Sequence, residues 1–214
     1  MTVLITGANR GIGHQLFNDY TQAGEKVFGT ARSGIDYMPL EITDPQSHAA
    51  LASHLAGEPI DLLVCNAGVY LDTDESLDNG YPKDMWRQTF DVNVTGVFLT
   101  IQHLLPNLRA AKNARIAIIS SQMASHTRAP GGSYIYRASK AAVLNLGRNL
   151  STDLRPEGIA VGIYDPGWVR TDMGTQSAEI DVTVSSRGLI AQFEALNMAT
   201  SGKFLTWDGR DHPY

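Results

Sequence analysis

At 214 residues, with 43% hydrophobic and 18% charged side chains, the chain has a globular composition and length enough for a substantial apolar core. A net charge of −5 without a clustered basic face argues against a nucleic-acid partner, and the single cysteine, Cys65, excludes an internal disulfide and a multi-cysteine metal site. No apolar run nears the roughly 20 residues that span a bilayer, and the first strand candidate follows Met1 almost at once, so no membrane partner and a cytoplasmic location are expected.

Short β-branched runs alternate with longer segments of helical period. Strands are expected at Val3 to Thr6, Lys26 to Thr30, Tyr37 to Leu40, Asp61 to Val64, Arg115 to Ser120, Ala160 to Tyr164 and Lys203 to Thr206. Helices are expected near Gly13 to Ala23, Pro45 to Ala56, Lys83 to Ala111, Ser133 to Arg155 and Ser185 to Met198. The alternation predicts an α/β protein, a Rossmann-like doubly wound parallel sheet of about seven strands in one domain spanning 1–214. Residues 32–36 leave no space for a crossover helix after the second strand. Either that connection is a shortened, atypical loop crossover or the third strand is misplaced.

Gly7, Gly11 and Gly13 stand between the first strand and the first helix. Glycines there permit a tight turn, let the backbone close on a phosphate and let the helix pack near the sheet, with the helix N-terminus facing the anion. Tyr136 and Lys140 are four residues apart in a helical segment, hence one turn apart on the same face, where an ammonium favours ionisation of a phenol. No metal is expected: the histidines lack zinc-motif spacing, and in the polar stretch 70–84 Leu77 stands where a calcium loop needs glycine. That stretch is read as a solvated loop. A serine hydrolase is disfavoured because "GGSYI" at 131–135 lacks the last glycine of a nucleophile elbow.

The turn reads "TGANRGIG", and it is followed in order by "NAG" at 66–68, Asn93 in "DVNVTG", "ISS" at 119–121, "YRASK" ending at Lys140, and "PGWVRTDM" at 166–173. This series resembles the short-chain dehydrogenase/reductase family over nearly the whole chain. With the ending "GKFLTWDG", it looks most similar to the C-factor and sniffer-type carbonyl reductases.

The resemblance implies a catalytic set of Asn93, Ser121, Tyr136 and Lys140. Tyr136 would protonate a carbonyl oxygen, Ser121 would hydrogen-bond it, and Asn93, kinking its helix, would hold a water that reprotonates Lys140. The cofactor would lie along Gly7, Asn9, Arg10, Gly11, Ile12 and Gly13, then Glu41 and Ile42 beside the adenine. Asn66, Ala67 and Gly68 would run near the adenosine ribose, Tyr136 and Lys140 near the nicotinamide ribose, and Pro166, Gly167, Val169 and Thr171 at the nicotinamide. Where relatives that use NAD carry an acid, this chain has Arg32, and Arg32 with Arg10 would grip a 2′-phosphate. The expected cofactor is NADP(H).

The function so implied is reduction of a small-molecule ketone, aldehyde or quinone to an alcohol by hydride transfer. Two alternatives are an NADP(H)-binding sensor with little turnover and an alcohol dehydrogenase working oxidatively. The segment 174–188 is the expected substrate cover, short enough to leave the site open. Apolar stripes on the helices at 83–111 and 133–155 are compatible with self-association or with core packing, and the resemblance implies a homodimer or homotetramer.

Overall fold

The computed structural model describes residues 1–78, 80–174 and 178–214. Its strands are β1 (Thr2–Thr6), β2 (Lys26–Ala31), β3 (Met38–Pro39), β4 (Leu62–Cys65), β5 (Arg115–Ile119), β6 (Ala160–Asp165) and β7 (Phe204–Thr206). They form one sheet in the order β3-β2-β1-β4-β5-β6-β7, with every pairing parallel. The central strands are apolar on both faces because helices cover both sides, as a parallel sheet requires.

The helices are α1 (Gly11–Gln22), α2 (Pro45–His54), α3 (Lys83–Phe90), α4 (Gly96–Ala110), α5 (Tyr134–Asp153) and α6 (Val182–Ala195). Alternation along β1 separates two cores. Leu4 points with Leu63, Ile116 and Ile118 toward α2, α4 and α5, while Val3 and Ile5 point with Val64 and Ala117 toward α1 and α6. The architecture is Rossmann-like and doubly wound. Strand order reverses between β1 and β4, so a crevice opens at their C-terminal ends, the place where open α/β sheets take ligands.

Three expectations are refined. The third strand does pair parallel with the second, Thr30 opposite Met38, across a loop without a helix, but it shrinks to two residues. The long helix expected over 83–111 is interrupted by a π-helical turn at Asp91–Thr95, which holds Asn93. The last helix starts at Val182 instead of Ser185, because Asp181 accepts a hydrogen bond from the Thr183 amide and caps it earlier. Among the described residues no helix is long and apolar enough to cross a membrane.

A Cβ on Gly13 would stand 2.3 Å from the Gly7 carbonyl oxygen and 2.4 Å from Asn66 Nδ2, contacts that no side chain rotation relieves on the backbone side. Gly13→Ala is expected to lower stability by about 1–3 kcal/mol through forced backbone displacement. Urea unfolding of the variant beside the parent protein checks this.

Candidate active site

The crevice is built from backbone that approaches backbone. Gly7 takes φ +67° at the end of β1, where an added Cβ would lie 3.0 Å from Ala67 Cα. Thr6 Oγ1 accepts hydrogen bonds from the amides of Asn66 (3.0 Å) and Ala67 (3.1 Å), and Asn66 Nδ2 donates to the carbonyls of Thr6 (3.0 Å) and Gly7 (3.2 Å). Asn66 therefore ties β4 to the glycine turn. At Arg10, which precedes α1, no side chain caps the helix, and its first turn carries no acidic residue. The N–H groups there are presented to the crevice with their partial positive charge.

One cavity runs along this edge of the sheet and encloses about 1210 Å³ of atom-free space, including its open mouth. It brings together Gly7, Asn9, Arg10, Gly11 and Ile12 of the turn, Arg32, Glu41 and Ile42 of the neighbouring loops, and Asn66, Ala67 and Gly68 after β4. Tyr136, Lys140, Pro166 and Thr171 line its inner end. Arg10 and Arg32 are exposed on its rim, and among the described residues neither is paired with a carboxylate. The Glu41 carboxylate lies on the cavity but is turned onto its own loop, where Oε1 accepts from Thr43 N (3.3 Å) and Oγ1 (3.0 Å).

Five expected residues do not line the cavity. Gly13 packs beneath the turn, and Gly167, with φ +82°, donates its amide to Asp165 Oδ1 at 3.1 Å. Val169 is buried in a one-pair parallel bridge with Ile180. Asn93 lies behind the wall with its side-chain amide fully engaged: Oδ1 accepts from Val69 N (2.8 Å), and Nδ2 donates to Val69 O (2.9 Å) and Ser139 Oγ (3.0 Å). A side chain so occupied braces the loop after β4. Ser121 follows β5, which ends at Ile119, and its oxygen accepts from Met123 N while hydrogen-bonded to the Tyr136 phenol. Ser120 lines the cavity, but its hydroxyl donates inward to the Lys140 carbonyl at 3.1 Å.

Tyr136 and Lys140 share one face of α5, and both are buried. Burial pushes the Lys140 ammonium down to about 8; Nζ donates to the Ile119 carbonyl at 3.0 Å and stands 5.6 Å from the centre of the Tyr136 ring. Burial also holds the Tyr136 phenol above its ordinary value, opposed by the Ser121 hydroxyl and reinforced by Tyr70, Asp165 and Asp72. The expectation that Lys140 acidifies this phenol is therefore corrected for the protein alone, since desolvation outweighs the attraction of an amine whose own charge is weakened.

Sequence reasoning missed several participants. Tyr70 stacks on Tyr136 with ring centres 4.2 Å apart, and Asp72 is bonded to the first turn of α5. Thr30, Leu40, Val92, Asp172 and Met173 also line the cavity. Position at the C-terminal ends of β2 and β5 is the signal that marks wall residues there, whereas nothing in the polar loop 70–84 separates Asp72 from its neighbours. The expected substrate cover, 174–188, follows directly on Met173 of the cavity wall, and its residues 175–177 lie outside the described residues.

The bare glycine turn, the uncapped helix end and the two unpaired guanidinium groups fit a dinucleotide with an extra phosphate. A family model described as short chain dehydrogenase matches residues 1–181. The chain belongs to that family. It is 39% identical over 166 residues to the C-signal protein of Myxococcus xanthus, covering 77% of this chain and 99% of that protein. It is 33% identical over 225 residues to 1-hydroxy-2-glutathionyl-2-methyl-3-butene dehydrogenase of Rhodococcus sp. (strain AD45), covering 97% of each. Among solved structures, the NADPH-bound carbonyl reductase from chicken fatty liver superimposes with a TM-score of 0.90 at 31% identity, over 100% of this chain and 98% of that one.

In this short-chain dehydrogenase the burial of Lys140 makes stability depend on pH. Between the folded value of about 8 and the ordinary 10.5, the unfolded chain binds a proton that the folded one has released, so stability rises with pH across that window. Relative to Lys140→Met, the parent protein is expected to gain about 3 kcal/mol from pH 8 to 10.5. Denaturant titrations of both proteins across the window measure the difference.

Proposed function

We propose that the protein is an NADP(H)-dependent reductase of small carbonyl compounds, working with Tyr136 as proton donor. The observation that carries this reading is the convergence of a buried phenol and an amine at the inner end of a cavity whose rim carries Arg10 and Arg32, neither paired with a carboxylate among the described residues, with the Ser121 hydroxyl against the phenol from outside the cavity wall. When bound, the reduced dinucleotide supplies the hydride that the carbonyl carbon accepts. Gly7, Gly11 and the amides opening α1 would hold its diphosphate, and Arg10 with Arg32 would hold the 2′-phosphate. Ala67 and Gly68 leave room for the adenosine ribose, and Lys140 and Thr171 would meet the nicotinamide half.

Tyr136 donates its proton to the substrate oxygen, and its raised proton affinity keeps that proton in place until charge develops on the oxygen. The Ser121 hydroxyl, already bonded to the phenol, is positioned to donate to the same oxygen and stabilise its charge. Lys140, close behind the ring, offsets the phenolate left by the transfer. The alcohol then carries the added hydrogen on carbon and the proton of Tyr136 on oxygen. Run backwards, the same groups oxidise an alcohol, which requires Tyr136 to begin as phenolate.

Tyr136→Phe is expected to lower kcat/KM for carbonyl reduction about 10³-fold while dinucleotide affinity changes little. Turnover at the parent rate, measured by NADPH oxidation with a panel of aldehydes, ketones and quinones, overturns the reading. Reduction is expected to hold steady through neutral pH and fall only as the phenol ionises, with oxidation rising over the same range. Arg32→Asp is expected to weaken NADPH binding by about 2–3 kcal/mol, with a smaller loss for NADH, in fluorescence titration.

A further inference from the structure

The helix that carries Tyr136 is capped from a distance. Ser133, directly before α5, adopts a left-handed conformation (φ +48°), makes no cap, and its Oγ is instead bonded to the Tyr70 hydroxyl at 2.5 Å. The first-turn amides are met by Asp72, 63 and 64 residues earlier in the chain. Its Oδ2 accepts from Ile135 N at 2.8 Å, and Oδ1 and Oδ2 accept from Tyr136 N at 3.2 and 3.3 Å. Asp72 is 1% exposed, and among the described residues no cation is paired with it. The positive end of α5 is the charge that compensates this carboxylate.

We propose that Asp72 is a positioning residue for Tyr136: its buried carboxylate, seated on the opening turn of α5, sets where the phenol stands and which charge it faces. The inference rests on the proposed function and concerns how its proton donor is set. Asp72 belongs to a short clamp. Asn93, in the π-helical turn, grips Val69 by both amide groups; Tyr70 lies flat on the Tyr136 ring; Asp72 then bonds the backbone of Tyr136 itself. Ring and backbone of the donor are thus held by Tyr70 and Asp72, two positions apart in one loop.

The groups that face the phenol define the electrostatic balance. The loop after β4 contributes Tyr70 and Asp72, and the end of β6 contributes Asp165, with His212 beyond it at 3.7 Å and Arg128 near the same carboxylate. The segment leaving β5 contributes Ser121, and α5 contributes Lys140. Asp72 is the carboxylate among them that also fixes the backbone of Tyr136, so it links the position of the phenol to its charge. A negative group at that place disfavours the phenolate, and neutralising it lowers the proton affinity of Tyr136.

The test compares Asp72→Asn, whose one amide oxygen can still accept from Ile135 N and Tyr136 N in the place of Oδ2 while the charge and the second acceptor are lost, with Asp72→Ala, which removes both acceptors. In Asp72→Asn the alkaline fall of the reductive kcat profile is expected about one pH unit lower than in the parent protein, the size of one like charge acting through protein. NADPH affinity is expected to stay within twofold in both variants, with kcat in Asp72→Ala reduced on the order of tenfold by misplacement of the donor. Titration of the Tyr136 ring-carbon resonance in tyrosine-labelled protein, without dinucleotide, is expected to show ionisation beginning at lower pH in Asp72→Asn. Profiles and resonance titrations that superimpose on those of the parent overturn the inference, as does loss of NADPH affinity in step with kcat. An active Tyr136→Phe protein overturns the proposed function instead, so the two failures are distinguishable.

Discussion

Gly7, at the end of β1, has no side chain to hold off the loop after β4, and the site is organised around that closeness. Gly7 lies against Ala67, Gly13 lies against the Gly7 carbonyl, and Asn66 fills the remaining space with hydrogen bonds to both Thr6 and Gly7. Because the chain turns within so little volume, α1 begins directly at the crevice and its free amides face a cavity instead of solvent. The reversal of strand order between β1 and β4 supplies the opening, and the glycines keep it unfilled.

The other end of the cavity follows a different logic. There, bulky and ionisable groups are packed together in a buried setting, so that each alters the proton affinity of the next. Lys140 is weakened as an acid-holding group by burial, Tyr136 is strengthened, and the hydroxyl of Ser121 pulls against that strengthening. The π-helical turn at Asn93 belongs to this end. One extra residue per turn carries the amide to Val69, and through Val69 the loop of Tyr70 and Asp72 is pressed onto α5. In the proposed reaction, one end therefore binds through backbone shape and positive charge, while the other acts through desolvation.

Much of this was legible along the chain, for identifiable reasons. The glycines at 7, 11 and 13 carry their meaning locally, because a turn between strand and helix is a property of adjacent residues. Tyr136 and Lys140 were readable as a pair because helical spacing alone places them on one face. Counting residues between β2 and β3 leaves either a loop crossover or a misplaced third strand, and the parallel pairing of the two strands decides for the crossover. On sequence alone Asp72 belongs to a polar, solvated loop, since its partners on α5 lie more than 60 residues away and no pattern near it announces them. Asn93 was legible as a residue that disturbs its helix, but the engagement of its side chain with Val69 and Ser139 was not.

By itself, the sequence determined the order and type of the elements, the glycine turn, and the identity of the groups available for chemistry, because periodicity and short-range stereochemistry are written in neighbouring residues. Only the tertiary structure decided which carboxylate sits on α5 and how strongly Tyr136 and Lys140 hold their protons. Those outcomes depend on burial and on contacts between distant segments. Desolvation and Coulomb interaction are set by what surrounds a group in space, and that surrounding exists only once the chain has folded.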